Sequence, residues 1–211
     1  MPKCYANPMT KAALKTPEKE PTYAIAELFP YQGDWTEEAY LGVTASTNHL
    51  IELSDGRLEF LPMPSERHQR IVAYLFFRLY GFVLKRKLGV ALMAPLKVKL
   101  WEGKIREPDI VFMREENTDK RGEQVWQGAD FVVEVISPDD PKRDTVDKFQ
   151  EYARAGIPEY WLIDPRDNSL TIYTLPEDAD SYTERSKQAS GEACSQLLDG
   201  FCVDVDSLFQ A

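Results

Sequence analysis

The sequence predicts an α/β fold: a mixed β-sheet with helices on both faces. Two patterns support this prediction. Between positions 71 and 83, apolar residues recur at helical spacing. Between positions 90 and 100 they alternate with polar residues, as Leu96, Val98 and Leu100 do around two lysines. Because helical and strand patterns follow one another along the chain, we expect one mixed sheet that packs helices against each side.

The length of 211 residues suits one domain with a sizeable core and leaves little room for two. We expect residues 1–40 to form a loosely ordered arm, because this stretch is rich in Pro, Lys, Glu and Thr and has weak periodicity. A short helix around residues 36–41 fits its pattern. Residues 41–211 then form the single domain.

The composition indicates a cytoplasmic protein without a membrane partner. No apolar run approaches the roughly 18 to 20 residues that cross a bilayer, and the first residues do not resemble a secretory signal. The three cysteines, Cys4, Cys194 and Cys202, are odd in number and lack metal-ligand spacing, which favours reduced thiols. Cys194 and Cys202 alternate with apolar residues, so we interpret them as small core residues.

The first predicted elements are a hairpin and a long helix. An Asp-Gly turn at 55–56 lies between the apolar runs 51–53 and 57–61, and this arrangement is a strong hairpin signal. Ser65 has the side chain of a helix N-cap. We expect the helix that follows it to end at Gly89.

Strands dominate the rest of the prediction. They are expected at 90–100, 108–113, 131–136, 159–164 and 169–175. The third of these is continuously apolar except for Glu134, which is typical of a central strand covered on both faces. A second helix is predicted from Asp144 through Ala155. The tail, at 196–198 and 201–209, is expected to add an edge strand and a short helix.

The charge is unevenly distributed. The net charge is −10, yet residues 65–106 carry ten Lys and Arg against Glu66 and Glu102, a local excess of +8. Such a basic region could contact a nucleic-acid backbone. From charge alone, a solvated helix face followed by a lysine-decorated strand is the favoured explanation.

Two acids and a lysine stand where packing alone would not place them. Glu134 interrupts an apolar run, and a carboxylate on a central strand is costly without a cation or several donors. Asp109 begins a comparable run, and if the strands are neighbours the two carboxylates converge. Such a pair suits Mg²⁺, and Lys148 on the next helix can point back at it. The alternative is a buried Glu134–Lys148 ion pair without chemistry.

Several motifs together resemble a known family. They are Glu107-Pro108-Asp109, the segment 133–138, Asp144, Lys148 and the segment 152–165, preceded by residues 52–53, 55–58, 64–65 and 68–69. In order and spacing they resemble the Uma-two family, a bacterial group of restriction-endonuclease-like proteins in the PD-(D/E)XK nuclease superfamily. The resemblance runs from Leu50 to Tyr173.

The resemblance implies a restriction-endonuclease-like fold and a metal-dependent endonuclease that hydrolyses DNA phosphodiester bonds. Asp109 and Glu134 match the two acids that bind Mg²⁺ or Mn²⁺. The usual superfamily lysine would fall at Ile136, so the resemblance implies that Lys148 of the following helix supplies it. His68 matches a recurring family histidine, with either a catalytic or a purely local role. Glu107 could add an outer contact, although a surface charge is the simpler interpretation.

Two other functions use the same residues. A non-catalytic nucleic-acid-binding or interaction module on the nuclease fold agrees better with the acidic net charge. A phosphohydrolase acting on small nucleotides would need the metal site but no basic track, and its binding would depend less on salt. A homodimer is compatible with cleavage of two strands.

Overall fold

The structure, a computed structural model, describes residues 32–45, 49–137 and 140–211. Residues 1–31 of the predicted arm lie outside this range, so the division into arm and domain stays a prediction. The helices are α1 (Glu37–Thr44), α2 (Glu66–Arg86), α3 (Lys148–Arg154) and α4 (Val205–Gln210). A 3₁₀ segment spans Glu115–Lys120, and π-helical Arg143–Asp147 directly precedes α3.

Thirteen strands are described in these residues. They are β1 (Ile51–Ser54), β2 (Arg57–Phe60), β3 (Gly89–Met93), β4 (Lys97–Trp101), β5 (Lys104–Arg106), β6 (Ile110–Arg114), β7 (Val125–Trp126), β8 (Phe131–Val135), β9 (Glu159–Asp164), β10 (Ser169–Thr174), β11 (Thr183–Gln188), β12 (Glu192–Cys194) and β13 (Cys202–Asp204).

The strands form two main sheets and a hairpin rather than one sheet. The large sheet has the order β11-β10-β9-β8-β6-β3, and the small sheet has the order β2-β1-β5-β4-β7. Strands β8 and β9 run parallel, as do β4 and β7, and the other pairs are antiparallel. The class is nevertheless the predicted one, with mixed sheets flanked by helices.

The large sheet carries a helix on each face. The buried side of α2 packs with Ile110 and Phe112 of β6 in one core cluster. Tyr152 of α3 packs with Val111 and Val132 in another. Because successive side chains of a strand point to opposite faces, α2 and α3 cover opposite sides of the sheet.

The strand predicted at 90–100 is two strands that belong to different sheets. β3 pairs with β6 in the large sheet, whereas β4 pairs with β5 and β7 in the small sheet. A cis Ala94–Pro95 peptide bond lies between them. The alternating pattern continues across this break, so periodicity alone could not reveal it.

The predicted hairpin and helix start are confirmed. Leu53 and Leu58 face each other in the antiparallel pair of β1 and β2, and Asp55 and Gly56 have positive φ in the turn. Ser65 Oγ accepts a hydrogen bond from the His68 amide at 3.2 Å, as an N-cap does.

Two other predicted helix limits are wrong. α2 ends at Arg86, because Lys87 takes the left-handed conformation that was assigned to Gly89. Gly89 begins β3, where a Cβ would lie 2.1 Å from Met113 O, so close sheet pairing explains the glycine. Asp144 does not begin a helix, since it is buried within the π-helical segment.

The C-terminal part forms the β12–β13 hairpin and the short helix α4. The predicted short helix is confirmed, but residues 196–198 are not a strand, and β13 pairs with β12 rather than adding an edge to the large sheet. Cys194 and Cys202 face each other across β12 and β13 and are bonded in a disulfide. Both cysteines are exposed. The predictions of reduced thiols and of core positions are therefore wrong for this pair, while Cys4 lies outside the described residues.

Within residues 32–211, apart from the gaps at 46–48 and 138–139, no helix combines the length and the apolar character that crossing a membrane requires.

Candidate active site

The site is built around Glu134, which β8 places in the middle of the large sheet. Its side chain is 3% exposed. Glu134 Oε1 accepts hydrogen bonds from Lys148 Nζ at 2.9 Å and from the Tyr152 hydroxyl at 2.5 Å. Both donors come from α3, four residues apart, so one helix face supplies them.

Lys148 lies among three carboxylates. Its Nζ is 2.9 Å from Glu134 Oε1 and 3.2 Å from Glu52 Oε1. Asp144 Oδ1, one turn earlier, is at 3.7 Å. Burial alone would lower the pKa of Lys148, but these carboxylates outweigh burial and hold the pKa well above its usual value. Lys148 is therefore a fixed ammonium group.

Asp109 directly precedes β6, whose neighbour in the sheet is β8. Asp109 Oδ2 accepts a hydrogen bond from the Val135 amide at 2.8 Å, which ties it to the residue after Glu134. Burial raises the pKa of Glu134, and the negative charge of Asp109 adds to this increase. The predicted convergence of Asp109 and Glu134 is what the sheet produces, and both line one pocket of about 650 Å³.

His68 enters the same pocket from the first turn of α2. Its Nε2 lies 3.2 Å from Asp109 Oδ2. Burial lowers the pKa of His68, but the hydrogen bond and charge of Asp109 raise it by more than burial lowers it, so the net shift is upward. His68 Nδ1 is buried and has no hydrogen-bond partner among the described residues.

Glu107 is a buried pocket residue, and its interpretation as a surface charge is wrong. It is 4% exposed, and Lys97 Nζ lies 3.2 Å from its Oε1. Glu107 Oε2 is buried without a hydrogen-bond partner in the described part of the chain. Burial raises the pKa of Glu107 to about 7, although Lys97 acts in the opposite direction.

Sequence reasoning missed two residues, Glu52 and Arg106. Glu52, on β1, is fully buried and accepts from Arg106 Nη1 at 2.8 Å and from the Glu107 amide at 2.9 Å. Burial raises the pKa of Glu52, but Lys148 and Arg106 lower it more, to about 2. Arg106 also binds Glu151 of α3 through two nitrogens. A signal existed, because Glu52 interrupts an apolar strand as Glu134 does.

The donor set suits a hard divalent cation. Burial raises the pKa of Glu134, Lys148 acts in the opposite direction, and the negative charges of Asp109 and Asp144 add to the increase, so a bound cation would stabilise these crowded carboxylates. Mg²⁺ commonly takes one or two carboxylates and keeps several waters. No three His, Cys, Asp or Glu side chains of the described residues form a closed metal-binding group. The residues therefore fit a sparse two-carboxylate site beside an unpartnered Glu107 oxygen, rather than a dedicated protein cage.

Comparisons with known proteins agree with this arrangement. A family profile described as "Putative restriction endonuclease" (Uma2, the Uma-two family) matches residues 38–206. The chain is also similar to a crystal structure of "a putative nuclease belonging to DUF820" from Anabaena variabilis ATCC 29413. The TM-score is 0.69 at 16% identity, covering 83% of this chain and 97% of that chain. Comparison with proteins of curated function returns no match.

The fold and the acidic pocket thus define a nuclease-like protein. Because the family profile spans most of the chain, the protein belongs to the Uma2 family. The structure brings together Asp109, Glu134, Lys148 and His68, and adds Glu52 and Glu107 to them.

Proposed function

We propose that the protein is a metal-dependent endonuclease that hydrolyses DNA phosphodiester bonds. The observation that carries the proposal is the position of Lys148. Its ammonium group lies 2.9 Å from Glu134, within the pocket that Asp109 also lines. An acid pair that can hold a divalent ion, beside a fixed positive charge that can stabilise developing negative charge, suits phosphoryl-transfer chemistry.

Asp109 and Glu134 are the residues that would hold Mg²⁺ or Mn²⁺. The bound ion would polarise the scissile phosphate and lower the pKa of an attacking water. Asp109 also keeps contact with the Val135 amide and with His68, which fix the direction of its carboxylate. His68 in this proposal is a positioning residue for Asp109.

Lys148 supplies positive charge where negative charge increases on the phosphate. Glu52 and Asp144 hold its ammonium group at the pocket wall, where the group also contacts Glu134. Tyr152 donates to Glu134 and thereby fixes the rotamer of that carboxylate. The lysine from α3 replaces the one that the superfamily usually carries at the position of Ile136.

One observation favours the alternative of a non-catalytic module. Lys148 and Glu134 already form a buried pair, and such pairs also occur as structural elements. The two proposals differ in metal binding, because a structural ion pair needs no divalent ion.

The test is cutting of supercoiled plasmid with Mg²⁺ or Mn²⁺, alongside calorimetric titration with Mn²⁺. We expect the wild type to cut, Glu134→Gln to lose cutting and Mn²⁺ binding, and Lys148→Met to lose cutting. Lys187→Met is the matched control, since Lys187, on β11, forms an exposed ion pair with Asp167. If Lys148→Met alone still cuts, the role of Lys148 fails while the metal site stands. If the folded wild type neither cuts DNA nor binds Mn²⁺, the result favours the non-catalytic module.

A steep decrease in cutting between low and moderate salt would indicate a polymeric nucleic acid. Weak salt dependence would favour a phosphohydrolase of small nucleotides.

A further inference from the structure

The solvent side of α2 carries an apolar stripe made of Phe77, Tyr80 and Leu84. Their side chains are 73%, 44% and 61% exposed. Large apolar side chains that cluster on a surface mark an interaction site more often than isolated ones do. Phe76 lies beside them, with its ring centroid 5.5 Å from that of Tyr80.

The apolar stripe is continuous with the candidate active site. Gln69 and Ala73, earlier on the same helix, line the pocket. Positions 69, 73, 77, 80 and 84 are three or four residues apart, so they share one face of the helix. At about 1.5 Å per residue, Ala73 and Leu84 are roughly 16 Å apart along the helix axis.

The pocket itself offers an apolar wall as well as acids. Leu61, Met63, Val72 and Met93 line it together with Asp109 and Glu134. Met63 is 79% exposed at this pocket. A paired duplex presents phosphates and polar groove edges to a protein, whereas an unpaired base presents an aromatic face that packs on apolar and aromatic side chains.

The charge of α2 suits a phosphate backbone. Residues 65–87 contain six Lys and Arg but a single acid, Glu66, in a chain whose net charge is −10. All six basic residues are exposed: Arg67, Arg70, Arg78, Lys85, Arg86 and Lys87. Basic residues beside exposed aromatic rings are the combination that binds single-stranded nucleic acid.

We propose that the substrate is an unpaired DNA strand whose bases stack along the apolar stripe of α2 and whose scissile phosphate lies at Asp109 and Glu134. The inference rests on the proposed function, because it assigns a substrate class to the same site. A stacked strand rises about 3.4 Å per nucleotide, so the distance from Ala73 to Leu84 accommodates roughly four or five nucleotides.

The experiment measures binding without cleavage. Fluorescence anisotropy with a labelled twelve-nucleotide strand and with the matching blunt duplex is recorded in EDTA and in Ca²⁺. We expect the single strand to bind at least tenfold more tightly than the duplex. Phe77→Ala/Tyr80→Ala should weaken single-strand binding at least fivefold, because the strand would lose the two rings on which its bases stack. Lys85→Ala should weaken it and reduce its salt dependence, whereas Lys187→Ala on β11 should not.

The control for the loss of an exposed apolar side chain is Val146→Ala. Val146 is also a partly exposed apolar residue, and its replacement should leave binding unchanged. Equal or tighter binding of the duplex, with no effect of the Phe77 and Tyr80 changes, overturns the inference. A second result would also overturn the inference. If sedimentation shows a wild-type dimer, and the Phe77 and Tyr80 changes convert it to a monomer without altering DNA affinity, then the stripe contacts a second copy of the chain.

Failure of the inference and failure of the proposed function give different results. Duplex cutting that is lost in Glu134→Gln but unaffected by Phe77→Ala/Tyr80→Ala would keep the function and remove the inference. Tight single-strand binding that depends on Phe77 and Tyr80, without cutting under Mg²⁺ or Mn²⁺, would keep the binding surface but remove the proposed function and, with it, the assignment of the strand as a substrate.

Discussion

Lys148 Nζ lies 3.2 Å from Glu52 Oε1, although Glu52 belongs to β1 of the small sheet and Lys148 to the helix that covers the large sheet. The same Glu52 carboxylate binds Arg106 and the Glu107 amide. The two sheets therefore meet at the candidate site through buried charges. The position of Lys148 depends on both sheets, and this connection leads to the following predictions.

Lys148→Met should destabilise the protein strongly. The change leaves the carboxylates of Glu52 and Glu134 without their shared cation, and breaking a buried pair from one side costs about 3–5 kcal/mol. Urea unfolding measures this loss. Lys187→Met removes an exposed pair and should cost less than about 1 kcal/mol. If adding Glu134→Gln to Lys148→Met recovers no stability, the loss does not come from the unpaired carboxylate.

Tyr152→Phe should lower the free energy of unfolding by more than Tyr182→Phe does. Both hydroxyl groups are buried donors, but Tyr152 donates to the Glu134 carboxylate and Tyr182 to the Ile157 carbonyl. Hydrogen bonds to charged groups contribute about 1.5–3 kcal/mol, and neutral ones about 1 kcal/mol. Plasmid cutting should decrease with Tyr152→Phe and stay near wild type with Tyr182→Phe. Equal effects on both stability and cutting would argue against a positioning role for Tyr152.

The metal-free protein should lose stability as the pH rises from about 4.5 to 8, partly through Glu107. Its pKa in the folded protein, about 7, lies above the ordinary value of 4.5. A raised pKa means that the folded state binds the proton more tightly. Its contribution is therefore complete below pH 4.5 and is lost as the pH rises through 7.

Glu107→Gln removes this titration. The unfolding free energy of the variant relative to wild type should therefore increase by about 3 kcal/mol between pH 4.5 and 8. Burial also raises the pKa of Glu134, but Glu134 is present in both proteins, so its effect cancels in the difference. Chemical unfolding at several pH values in EDTA gives the difference, and a difference that does not change with pH would contradict the assignment.

His68→Asn should weaken Mn²⁺ binding roughly 10- to 100-fold, because partners that orient a metal-binding carboxylate have effects of that size. The His68 imidazole contacts Asp109 Oδ2 at 3.2 Å. Calorimetric titration with Mn²⁺ measures the affinity independently of cutting. His49→Asn, the other histidine of the chain, serves as the control, since His49 is not among the pocket residues. Unchanged affinity in His68→Asn would exclude the positioning role.

The sequence was sufficient to predict the parts of the site that interrupt a strong pattern. Glu134 stands out in an apolar strand, and Asp109 stands at the start of its neighbour, so strand pairing brings them together. Arg106 could not be assigned in the same way, because in the sequence it falls between two predicted strands, where a basic residue is ordinary. Its burial depends on Glu52 and Glu151, which are 54 and 45 residues away along the chain.

The division of the strands into two sheets could not be predicted from the sequence either. β3 and β4 share one alternating pattern, and only their partners, β6 and β5, separate them. The cysteine pair shows the same limit. Cys194 and Cys202 meet because a hairpin places them opposite each other, and spacing along the chain does not specify that register.

The contacts of α1 have a practical consequence for recombinant work. The Tyr40 side chain is fully buried, and its hydroxyl donates to the Ile51 carbonyl at 2.7 Å. The Gln32 side-chain amide binds both backbone groups of Leu58. A shortened expression clone that starts at the first strand would leave Ile51 and Leu53 facing solvent and would tend to precipitate. Truncation for crystallisation should therefore retain every residue from Gln32 onward.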